Sequence, residues 1–210
     1  MDIIALKKRI PAKYFDYQRL SRAIVGQANQ RRFIGQLIKK GHIIRIKKGL
    51  YIWAEELEPT GYSKEILANL IYGPSYVSLE YALSFYGLIP ERVETVTSVT
   101  FKKNKIFKTP VGSFEYCHLH KNAYAAGVTL HVINQAEACL IACPEKALLD
   151  YLSLRVKRIA ADTSLPQLLY DDMRLDPDAF AKLATDTLTT YGALYRSTAI
   201  QTFIKKVRNG

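Results

Sequence analysis

Between residues 28 and 53 the apolar side chains of this chain change their period once, at Gly41, and that change dictates the local fold. Before it, Phe33, Ile34, Leu37 and Ile38 recur at the spacing of one helix face. After it, Ile44 and Ile46 alternate with Arg45 and Lys47, which is the period of a strand. Lys48-Gly49 then turns the chain back into Leu50-Tyr51-Ile52-Trp53. The pattern predicts a helix from about Ala28 to Lys40 with Gly41 at its C′ position, followed by a hairpin. Upstream, residues 2–10 suit a short helix that Pro11 ends. Asp16 can cap a second helix, with Tyr17, Leu20 and Ile24 on one face and Gly26 as its stop. Three helices with a glycine turn before the third, then a hairpin, predict a winged helix-turn-helix.

Charge is distributed to match. The chain has a formal net charge of +11. Residues 1–53 hold thirteen Lys or Arg against only Asp2 and Asp16, and the remaining seventeen basic and seventeen acidic residues cancel. A cationic first quarter joined to a neutral remainder points to a polyanion-binding module. On a helical wheel, Arg32, Gly35, Gln36 and Lys39 lie opposite the apolar seam, with Asn29 at the edge. Arg, Asn and Gln side chains can make paired hydrogen bonds to base edges in a major groove. Asn29, Arg32 and Gln36 are therefore the expected base contacts. Arg31, Lys39, Arg45, Lys47 and Lys48 are the expected phosphate contacts, which position the protein without reading sequence. Double-stranded DNA is the expected partner.

The acidic, Pro- and Gly-containing EELEPTG at 55–61 marks a boundary, dividing the chain into residues 1–58 and 59–210. The second part reads as mixed α+β. Helices are expected over Ser63–Tyr72, Ser78–Tyr86 and 143–154, with Pro144 in the first turn of the last. Strands are expected over 94–101 and on either side of Pro110 and Gly112. From Ser164 onward, LPQLLYDDM, DPDAFAKLATDTL and TAIQTFIKKV suggest three helices, so the tail is expected to be α-helical. No apolar run has the length of a membrane span. The basic residues of the N-terminus follow its apolar run, the reverse of a secretory signal. Three cysteines without a CxxC pair argue against a disulfide framework and for a reducing cytoplasm.

The segments KKGHIIRIKKGLY (39–51), VSLEYALSFYGLIPE (77–91), VTSVT (96–100), KTPVGSFEYCHL (108–119) and IACPEKALLDYLSL (141–154) follow one another in a characteristic order. This succession, over about residues 14–155, resembles the AbiEi family, the antitoxin and transcriptional-regulator half of type IV toxin–antitoxin pairs. Cys143 departs from it, standing where Thr or a similar small residue is expected. The resemblance implies that the N-terminal domain binds inverted repeats upstream of its own operon and represses it, which allows a dimer on DNA. It further implies that the second domain counteracts a nucleotidyltransferase-like toxin without requiring a stable complex. The alternative is a winged-helix transcription factor whose second domain senses a ligand or dimerises.

Enzymatic readings find less support. His118 and His120 share one face of a strand and Cys117 shares the other with Glu115, short of the converging ligands that zinc needs. No metal or other cofactor is expected. There is no GxxxxGK[ST] phosphate loop and no GxSxG nucleophile elbow. Lys146 and Asp150 are spaced i, i+4 and are expected to pair on a helix surface for a few tenths of a kcal/mol. Lys102, Lys103, Lys105 and Lys108 form a second basic cluster, most simply as guards of a sheet edge.

Overall fold

The computed structural model describes residues 2–156 and 166–209. It is a mixed α+β fold with a three-stranded and a six-stranded sheet. The chain opens with α1 (Ile3–Arg9), β1 (Tyr14–Asp16), α2 (Tyr17–Ala23), α3 (Gln30–Lys39), β2 (Ile43–Lys47) and β3 (Leu50–Trp53). Asp16 caps α2 by accepting from Arg19 N at 2.7 Å. At the far end of α3, Gly41 takes φ +74°. Its N–H donates to the Ile38 carbonyl, and the His42 N–H to that of Leu37. This paired closure satisfies carbonyls that would otherwise be orphaned, and it needs a residue without Cβ at Gly41. The one strand not foreseen here is β1, which pairs antiparallel with β3 to give the order β1-β3-β2.

Strand β3 explains how the two parts of the chain meet. Its four residues are all buried. Tyr51 and Trp53 join Leu6, Ile10, Phe15, Leu20, Ile24, Ile34 and Leu37 in a first core. Leu50 and Ile52, on the opposite face, belong with Ile46 to the core of the rest of the molecule. A run of four apolar residues fits a strand covered on both faces. The Trp53 indole N–H is shared by the Ile10 and Ala12 carbonyls, each at 3.1 Å, which ties β3 to the end of α1. Across the junction Tyr14 Oη accepts from Ser63 N at 2.7 Å, and Lys13 pairs with Glu137 at 3.0 Å.

Beyond a 3₁₀ turn at Glu55–Leu57 come α4 (Lys64–Ile71), β4 (Ser75–Val77), α5 (Leu79–Phe85), β5 (Val96–Thr100), β6 (Lys105–Thr109) and β7 (Gly112–His118). Then follow α6 (Lys121–Tyr124), β8 (Val128–Asn134), β9 (Glu137–Ala142) and α7 (Pro144–Leu154). The strand order is β6-β7-β5-β4-β9-β8, with β5–β7 and β4–β9 parallel and the other pairs antiparallel. The expected helices and strands of this region are present, and β4 and the β8–β9 hairpin are additions to them. In the tail, a π-helical turn (Gln167–Asp172) is followed by α8 (Pro177–Ala181), α9 (Thr185–Gly192) and α10 (Thr198–Asn209). Ser164 and Leu165, where the first tail helix was expected to begin, lie outside the described residues. The single helix expected over DPDAFAKLATDTL is two, because the Ala184 N–H is taken by Glu145 Oε1 at 3.1 Å instead of continuing the helix.

Helix α7 is the hub of the second core. Lys146 and Asp150, expected as a surface pair, are fully buried, which corrects that expectation. The Lys146 ammonium donates to Asp150 Oδ1 at 2.8 Å, to the Ala123 carbonyl at 2.6 Å and to Tyr195 Oη at 2.6 Å. Asp150 also accepts from Tyr195 Oη (2.6 Å), Tyr76 Oη (2.9 Å) and Ser78 Oγ (2.8 Å). All three ammonium protons and both carboxylate oxygens are satisfied, the condition under which a buried ion pair is tolerated. Burial lowers the Lys146 pKa, and Asp150 opposes that shift. Ser78 stands at the N-cap of α5, but its hydroxyl serves this network rather than the helix end. Gly127 lets the backbone approach: a Cβ there would lie 2.8 Å from Lys146 Cβ and from the Tyr191 ring. The network joins β4, α5, α7 and the tail, so the C-terminal helices are part of the second core.

Candidate nucleic-acid interface

The amphipathic division of α3 holds in three dimensions. Ile34 and Leu37 are buried, Phe33 and Ile38 are half-buried, and Arg31, Arg32, Gly35, Gln36 and Lys39 are exposed. Asn29 is also exposed, but its Oδ1 accepts from Arg32 N at 2.9 Å as the N-cap of the helix. That bond leaves the amide NH₂ of Asn29 as its outward group, so a bidentate contact with adenine would have to displace the cap. A Cβ at Gly35 would meet nothing within 4 Å, so nothing inside the chain requires glycine there.

The hairpin extends this surface unevenly. Arg45 and Lys48 are exposed. Arg31 and Lys48 line one open cleft with Tyr17, Gly49 and Tyr51, so α3 and the hairpin turn are brought together. Arg45 lines a different cleft with Gly35 and Ile38 of α3 and Pro110 of the β6–β7 turn. Among the described residues Arg31, Arg32, Lys39, Arg45 and Lys48 form no ion pair. Five unpaired cations around one exposed helix are an electrostatic footprint suited to phosphate.

Lys47 is placed differently from the expectation. Its ammonium turns inward and donates to the Ile71 carbonyl at the end of α4. Burial, then the nearby Lys102 and Lys105, lower its pKa from the ordinary lysine value. The alternation of β2 accounts for this: Ile46 packs into the second core, and a bulge between Arg45 and Lys47 disturbs the outward phase of the residue after it. The second basic cluster adjoins this point. Lys102 and Lys105 sit 5.3 and 5.6 Å from the Tyr72 ring centroid, and Lys102 donates to the Gly73 carbonyl.

Three further arginines, Arg9, Arg19 and Arg22, line a separate cleft. The sequence signal for them is the i, i+3 spacing of Arg19 and Arg22 on α2, outside the 28–53 stretch where the pattern changes period. Elsewhere, His118 is exposed with Nδ1 3.1 Å from the Lys102 carbonyl, whereas His120 has left the strand and caps α6. Cys117 lies 3.4 Å from Glu115, and burial raises its thiol pKa to about 12. Among the described residues no three His, Cys, Asp or Glu side chains group to hold a metal ion. No helix among them is long and apolar enough to cross a membrane. No protein-family model matches the chain, and no curated protein sequence matches it.

Proposed function

We propose that the chain is a duplex-DNA-binding transcriptional autorepressor whose first 58 residues act as a winged helix-turn-helix, with α3 as recognition helix and β2–β3 as the wing. The observation that carries this is the exposed, unpaired group Arg31, Arg32, Gln36 and Lys39 on α3, beside Arg45 and Lys48 of the hairpin. The element order α1-β1-α2-α3-β2-β3 supports it, since the helix pair and the hairpin then present one side to a duplex. The second part, residues 59–210, is proposed as the antitoxin domain acting against a nucleotidyltransferase-like toxin. Support for that role is the ordered likeness of segments to the AbiEi family.

The test is fluorescence anisotropy with the duplex upstream of the chain's own gene and with a random duplex, over a salt series. Arg32→Ala should lower affinity for the upstream duplex by about 1–3 kcal/mol and narrow its advantage over random duplex. Lys48→Ala should weaken both duplexes alike and flatten the salt slope by about one unit. Equal binding of the two duplexes by the unaltered chain would refute sequence-specific repression. For the antitoxin role, co-expression with a neighbouring nucleotidyltransferase-like gene should restore growth; continued growth arrest would refute it.

A further inference from the structure

The N-terminal unit carries a second cationic feature that the proposed DNA surface does not use. Arg9 of α1 and Arg19 and Arg22 of α2 line an open cleft of about 780 Å³. Its apolar wall includes Leu50 of β3 and Leu70 of α4, and Leu70 is 45% exposed there. Ser21 on α2 points toward α3, where its hydroxyl bonds Gln30. At about 100° per residue, Arg19 lies about 160° around α2 from Ser21 and Arg22 about 100°. The arginine cleft thus opens away from the cleft that Arg31 and Lys48 line.

The three guanidinium groups are available to a ligand. Arg19 and Arg22 have no ion-pair partner among the described residues. Arg9 is held across the cleft by one bond, Nη1 to the Ala23 carbonyl at 3.0 Å, and among the described residues its other N–H groups have no partner. Asp16, the one acid on the cleft, spends Oδ1 on the α2 cap. Guanidinium forks match phosphate oxygens in pairs, and a cleft of this size is in the range that accepts a small molecule. A cationic wall facing an apolar wall fits a ligand with a phosphorylated end and an apolar or planar body.

We propose that this cleft binds a small phosphorylated molecule of that kind, independently of duplex DNA. The ligand would touch α1 and α2 on one side and α4 on the other, bridging the two cores at their junction. The test is titration calorimetry of the full chain with pyrophosphate, AMP and ATP at one salt concentration, with duplex anisotropy run in parallel. We expect saturable ATP binding that R19Q/R22Q weakens by about tenfold or more, while duplex affinity changes by less than about threefold. L70D should weaken AMP and ATP more than pyrophosphate, because only the nucleotides reach the apolar wall. Unchanged circular dichroism of both variants ties any loss to the cleft. Three results would overturn the proposal: no saturable binding of any probe, nucleotide binding indifferent to R19Q/R22Q, or a loss of duplex affinity by R19Q/R22Q as large as the loss of ATP. The last would assign the arginines to the DNA surface.

Discussion

Replacing Lys146 with methionine removes the only cation that, among the described residues, is bound to the fully buried Asp150 carboxylate. Methionine keeps the unbranched stem and nearly the volume, so little cavity forms. What is lost is three hydrogen bonds, with a carboxylate left among three hydroxyl donors and no counter-charge. Removing one partner of a buried ion pair costs about 3–5 kcal/mol, a large share of the roughly 5–15 kcal/mol that holds a domain folded. K146M/D150N removes both charges and keeps an acceptor at position 150, so it should be more stable than K146M alone. Y195F, which removes one donor to the carboxylate and one acceptor from the ammonium, should cost about 1–3 kcal/mol. Urea unfolding measures all three, by circular dichroism for the whole chain and by fluorescence for Trp53. The single tryptophan lies in the first core and the network in the second, so the two signals also report whether the cores unfold together. A loss under about 1 kcal/mol for K146M, or a double variant less stable than K146M, would refute the claim that an uncompensated buried charge dominates.

Lys47→Ala should lower stability while leaving the salt slope of duplex binding unchanged, because the Lys47 ammonium is bound to the Ile71 carbonyl; anisotropy over a salt series checks this. Alkaline pH should destabilise the fold. Burial raises Cys139 and Cys143 to about 11 from 9.0 and Tyr14 to about 12 from 10.0. A raised acid favours the folded state fully below its unfolded pKa, and the gain is lost as pH rises toward the folded value. Thermal midpoints should therefore hold to about pH 9 and fall between pH 9 and 12. Iodoacetamide labelling of the native chain at neutral pH should be slower than that of the urea-unfolded chain by roughly a hundredfold or more, since a two-unit rise cuts the thiolate fraction by that factor. Equal rates, read by mass spectrometry, would contradict the burial of Cys139 and the partial burial of Cys143.

What could be read from the chain depended on whether a residue's role is written into local spacing. The switch at Gly41 was legible because a helix period, a left-handed glycine and a strand period follow one another within one stretch. Asp16 and Pro144 were legible because capping and first-turn roles are local. Lys146 and Asp150 were misread because i, i+4 spacing puts two side chains together on either face of a helix and says nothing of what covers it. Ala147, Leu148, Leu149 and Leu152 span only about 200° of α7, and Lys146 and Asp150 occupy the arc they leave, so the wheel itself read the pair as outward-facing. Lys47 turned inward through a bulge and a packing contact with α4, both set by residues distant in sequence. Strand β8 carries alternating Thr129, His131 and Leu130, Val132, yet its pairing with β9 became evident only in the folded chain.

The double role of β3 sets an order of events during synthesis. The first core is complete once Trp53 has left the ribosome, whereas the second waits for Tyr195, Phe203 and Ile204. At elongation rates of about 5–20 residues per second, the interval is roughly seven to thirty seconds. Until α4 follows, Leu50 and Ile52 face outward from the N-terminal unit, as a sticky seam awaiting its cover. The same nascent unit already displays its arginines and lysines beside ribosomal RNA, the most abundant polyanion within reach.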